Sequence, residues 1–156
     1  MTSKQDFTDE EWARIRRAPL VAGVAISLAD PGGPIEMAKE TMATVRSATL
    51  PPSQEELLAS VALDIQAMTQ HKQNPLGDFK PRGGQQVLEE LKAVNQIVTA
   101  KATPEEAEAF RRWLLVAAQA AADAGKEGGF MGFGAERVSA GERQMLGQVR
   151  AALEMA

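Results

Sequence analysis

Two stretches of this chain read alike: TDEEWARIRRAPLVAGVAISLA at residues 8–29 and TPEEAEAFRRWLLVAAQAAADA at residues 103–124. Laid over each other at a constant offset of 95, they are identical at ten of 22 positions. The matches include Thr8, Glu11, Arg16, Arg17, Leu20, Val21 and Ala22 with their partners. Each copy opens on Thr with Glu three residues later. That spacing lets a hydroxyl and a carboxylate satisfy two free backbone N–H groups at a helix start. In the second copy Pro104 takes the first helical position, where its missing N–H does no harm. A break with Asp and Gly follows each copy, ADPGG at 29–33 and ADAG at 122–125. Another stretch of helical character then ends in VRSA (45–48) or VRAA (149–152). The reading is a helical hairpin built twice and packed about an approximate two-fold axis.

Working outward, two more Ser-x-x-Glu boxes, Ser53 with Glu56 and Ser139 with Glu142, mark further helix starts. The chain then divides into about six helices, near 9–29, 34–48, 54–70, 85–100, 104–124 and 140–154, with a bend or break expected at Pro19. Leu57, Leu58, Val61, Ile65 and Met68 repeat at helical spacing in the third, and Val87, Leu88, Leu91, Val94, Ile97 and Val98 in the fourth. No stretch of strand length alternates with period two. The expectation is an all-α single domain over residues 1–156, with the duplicated hairpins (helices one–two and five–six) flanking helices three and four.

Hydrophobic residues make up 44% of the chain, enough for a core and against wholesale disorder. Seventeen basic against 21 acidic residues leave a net charge of -4, which gives no general attraction to nucleic acid. The absence of cysteine excludes disulfides, thiolate nucleophiles and cysteine-ligated metals. The longest apolar run, 18–29, contains Pro19, Gly23 and Ser27 and is too short to span a bilayer. The polar, acidic start MTSKQDFTDEEW does not read as a secretory signal, so cytoplasm is the expected location.

The stretches ADPGGPIEMAKE (29–40) and ADAG with VSAGERQMLGQVRAAL (138–153) resemble the tellurite-resistance TerB-like helical domains. The likeness covers about half the chain. It departs from the family pattern where Pro31 follows Asp30 and Ala124 follows Asp123, positions at which Gly would be expected. The resemblance implies an all-helical bundle used in stress or metal-related resistance, with an acidic cation site and no established enzymatic activity. Asp30, Glu36, Asp123 and Glu142 stand where the family's acidic residues would lie. Cofactor expectations are therefore none, or a divalent cation (Ca²⁺ or Mg²⁺) on these turns. Read on their own chemistry, Asp30, Glu36 and Glu40 could offer three carboxylates to a cation across one interhelix turn. Asp at a helix end and Glu in a first turn are also what capping and the helix dipole favour.

EGGFMGFGAERVS (127–139) is glycine-rich but matches neither common phosphate loop. Its glycines follow a helix rather than a strand, and no Gly-Lys-Ser/Thr closes it. Phe130, Met131 and Phe133 then read either as a plug over the core or as an apolar tip that docks on a partner or a second copy. HKQNPLGDFKPRGG (71–84) carries Lys72, Lys80 and Arg82. It reads as a linker or as a seat for an acidic segment or a phosphate. His71, the single histidine, has no companion for catalysis or metal binding. The functional expectation is a non-enzymatic accessory protein that acts through a protein partner or homo-oligomer. The alternative is a small metal-dependent enzyme or ligand-binding protein using the acidic turns.

Overall fold

The computed structural model describes residues 2–29, 34–126 and 139–155. After a 3₁₀ turn at Lys4–Asp6 come six helices: α1 (Asp9–Ala29), α2 (Pro34–Thr49), α3 (Glu56–Gln70), α4 (Gly84–Lys101), α5 (Pro104–Lys126) and α6 (Ala140–Ala152). There is no strand among the described residues. The all-α architecture of six helices is as expected.

Three of the four boxes read from the sequence sit at helix starts. Thr8 Oγ1 accepts from the Glu11 amide at 3.0 Å, and the Thr8 amide donates to the Glu11 carboxylate at 2.9 Å. Ser139 and Glu142 close the same pair of bonds at 3.1 and 3.0 Å. At α5 the hydroxyl half forms, with the Glu106 amide donating to Thr103 Oγ1 at 3.2 Å. The Glu106 carboxylate turns instead to the hydroxyls of Thr2 and Thr103 and to the Thr2 amide, fastening the amino-terminal segment. The fourth box fails. Helical bonding in α3 begins at the Glu55 carbonyl, two residues past Ser53, whose Oγ is buried without a partner. In the first turn of α3 the Leu57 amide donates to the Glu106 carboxylate of α5.

Of the bend or break expected at Pro19, the break does not occur; α1 runs through it, and Pro19 is buried in the helix interior. A proline there costs about 3 kcal/mol. Burial outweighs it: Trp12, Ile15, Leu20, Val21 and Ile26 are all buried on α1, each contributing roughly 1.5–3 kcal/mol.

The central pair is α1 and α5, packed on each other; α2 lies on α5 and α4 on α1. The remaining helices fill in so that exchanging α1 with α5, α2 with α6 and α3 with α4 leaves the set of substantial neighbours unchanged. The exchange does not extend to extent of contact, since α2 covers α5 more fully than α6 covers α1. One core draws on all six helices. α5 supplies Ala118, Ala121 and Ala122 to it, small residues that let neighbouring helices approach closely. Two indoles pin partners in place: Trp113 Nε1 donates to the Ser47 carbonyl of α2, and Trp12 Nε1 to Asp64 of α3, both at 2.7 Å.

Candidate functional site

The connection between α3 and α4 is more than a linker. Its backbone turns at Lys72 and Gly77, with φ of 56° and 61°. The Asn74 side chain accepts from the Leu76 amide at 3.0 Å, a local turn that asparagine favours. Leu76 and Phe79 then pack against the core, so the loop lies along α1 as a second wall.

Between this wall, α1 and α2 runs an apolar cleft of about 190 Å³. Leu20, Gly23, Val24 and Ser27 line it from α1, Thr41, Thr44 and Val45 from α2, and Asn74, Pro75 and Leu76 from the loop. The two helices cross very closely at Gly23. A Cβ there would lie 2.2 Å from Thr44 Oγ1, which only a hydrogen at that position avoids. Thr44 is fixed in turn, its hydroxyl donating to the Glu40 carbonyl at 2.7 Å. Buried Glu40 accepts from Ser27 Oγ, tying α2 to α1 at the same edge. α2 also presents Ile35 and Met42, 73% and 64% exposed. Met42 stands one helical turn before Val45, so its side chain neighbours the cleft rim.

An ionic clamp holds the other end of α1. The Glu90 carboxylate on α4, only 8% exposed, receives Arg14 at 2.6 Å and Arg17 at 2.9 Å. The hydrogen bonds to Glu90 raise the Arg14 pKa further against the opposing effect of burial.

The acidic residues read from the sequence are spread apart in role. Glu36 is half-buried in the first turn of α2. Asp123 is exposed and accepts from Gln119 at 3.0 Å, within α5. Glu142 is buried in the α6 capping box, its Oε2 without a hydrogen-bond partner. Among the described residues no three His, Asp or Glu side chains converge as a metal would require. Asp30 lies outside the described residues, as do Phe130, Met131 and Phe133. His71 is exposed at the end of α3.

Two residues that matter here drew no functional reading from the sequence: Gly23 and Glu90. Glu90 carried a signal, since it sits within the apolar stripe of Val87, Leu91 and Val94, where a carboxylate needs a partner. Gly23, in the middle of a helical run, was the other usable hint. Glu40, read from the sequence as a cation ligand beside Asp30 and Glu36, is buried and accepts from Ser27 Oγ. Comparison of the chain with protein-family models, with curated proteins and with solved structures gives no match.

Proposed function

We propose that this chain is a non-enzymatic accessory protein of the kind its TerB-like turns imply, acting by seating an apolar side chain of a partner protein in the α1–α2 cleft. The size of the cleft carries the reading. At about 190 Å³ it falls below the roughly 300–1,000 Å³ of ordinary ligand and cofactor pockets. It is close to the ~150 Å³ that an aromatic ring occupies in an engineered apolar cavity. One ring or branched aliphatic group fits. Near the rim, Met42 supplies exposed apolar surface of the kind that marks contact sites, and Met adapts to varied partners. The metal-dependent alternative has no converging carboxylates behind it among the described residues.

The test is a photoreactive amino acid placed at Met42 in cells producing the chain, with Gln96, exposed on α4, as the control position. Irradiation should give a discrete protein adduct from Met42 and little from Gln96. The adduct's mass separates a different protein from a second copy of this chain. No adduct from Met42, or equal labelling from both positions, would remove the basis for this function.

A further inference from the structure

On the far side of the same loop, different residues line a second, polar pocket of about 340 Å³: Arg17, Asp78, Phe79, Lys80, Arg82 and Gln86. Three cations face one carboxylate there, a local positive charge on a chain of net -4.

Arg17 is set in advance. One edge of its guanidinium donates to Glu90 through Nε and Nη2, at 3.3 and 2.9 Å. Its carbon lies 5.0 Å from the Phe79 ring centroid, so one face is stacked as well. The Nη1 donors have no protein partner among the described residues. A guanidinium held on an edge and a face loses little freedom when its remaining N–H groups meet an oxyanion.

The loop is held too. The Phe79 amide donates to the Leu76 carbonyl at 3.2 Å, and the Arg82 amide to the Gln86 side chain at 2.6 Å. Lys80 and Arg82 therefore project from an anchored backbone, exposed and without an ion pair among the described residues. Unlike Arg111 and Arg112 on α5, these cations belong to a concave site.

We propose that the Arg17–Lys80–Arg82 pocket binds a small oxyanion of the phosphate class, free or as a phosphomonoester. Two guanidinium forks and an ammonium suit a tetrahedral dianion better than a single carboxylate. The volume lies near the bottom of the range for ligand pockets, which limits the ligand to a phosphate with a small substituent. Asp78 on the rim repels further negative charge and offers an acceptor to an amine or hydroxyl on that substituent.

The test is amide-shift titration of the full chain with inorganic phosphate, with phosphoethanolamine, and with sodium chloride at matched ionic strength. Saturable shifts at residues 78–86 and at Arg17 are expected with both phosphates and not with chloride. A tighter phosphoethanolamine constant would identify the monoester as the better ligand; equal constants would identify free phosphate as sufficient. Because Arg17 also clamps α1 to α4, the diagnostic variant is Lys80→Ala with Arg82→Ala, which leaves the clamp alone. It should weaken phosphate binding roughly tenfold or more. Shifts that follow ionic strength alone, or an unchanged constant in the double variant, would overturn the proposal.

Discussion

Arg17 of α1 and Arg112 of α5 hold equivalent places in the repeated segment, yet their surroundings differ completely. Arg17 lies against the buried carboxylate of Glu90, whereas Arg112 reaches, among the described residues, only the exposed Glu108, four residues before it on the same helix. The contrast continues along both helices. Val21 is fully buried while its counterpart Val116 is 42% exposed. Gly23 is pressed against Thr44, and the matching position on α5 is Ala118, buried without glycine's need. Among the carboxylates the order reverses. Glu11 pairs with Lys101 near the surface, and Glu106 is 3% exposed under Thr2. Shared letters thus fix a helix and where it starts, while coverage depends on what the rest of the chain lays over it. The α3–α4 loop and α4 lie over one side of α1. The same stripe of α5 is left to water.

The sharpest way to break this comparison is to remove the two counter-charges in turn. Glu90→Ala leaves Arg14 and Arg17 facing each other without an anion and should lower stability by about 3 kcal/mol. That is the lower end for a buried pair, since the two arginine side chains remain 30% and 17% exposed. Glu108→Ala should cost under about 0.5 kcal/mol. Urea denaturation of both variants decides it, and equal losses would mean that the Glu90 clamp carries no special weight.

A smaller effect is expected at the helix crossing. Gly23→Ala makes α1 resemble α5 at this register. The added methyl meets Thr44, an overpacking cost of about 1–3 kcal/mol. Against this, alanine is better than glycine in a helix by ~1 kcal/mol. A net loss of about 1 kcal/mol should appear in the same denaturation experiment. A gain in stability would show that α1 and α2 can part at Thr44 without penalty.

The smallest effect concerns pH. Burial raises the pKa of Glu106, but hydrogen bonds from the Thr2 hydroxyl and amide, the Thr103 hydroxyl and the Leu57 amide outweigh it and hold the carboxyl below its usual range. The unfolded chain then takes up this proton first as pH falls. Stability from Glu106 is therefore complete above the ordinary carboxylate pKa and lost as pH drops through the folded value. Glu106→Gln should reduce the fall in stability below about pH 4.5 relative to the unaltered chain. An identical pH profile would show that this carboxylate is not held as described.

Much of the fold was legible because its signals are local. Thr8 with Glu11, Thr103, Pro104 and Ser139 with Glu142 each mark a helix start within four residues, and the apolar stripes of α3 and α4 mark their buried faces. The failures arose where distant parts decide. Pro19 should interrupt an isolated helix, yet the core around Ile15 and Leu20 carries α1 through it. Ser53 looks like a cap, yet the amide of Leu57 in the first turn of α3 is served by Glu106 from α5. The candidate site is long-range throughout. Its lining joins residues 20–27, 41–45 and 74–76, and no spacing within any one of these segments reveals the other two.

Val24 and Gln119 occupy the same place in the repeat, one lining the cleft and the other exposed on α5. The most direct measurement is therefore the yield of the Met42 photo-adduct in Val24→Arg and in Gln119→Arg, each first shown to be folded. An arginine at Val24 fills an apolar cleft with charge, so the adduct should be lost there and kept at wild-type yield in Gln119→Arg. An adduct that survives Val24→Arg unchanged would contradict the account, because the contact would not then depend on the cleft.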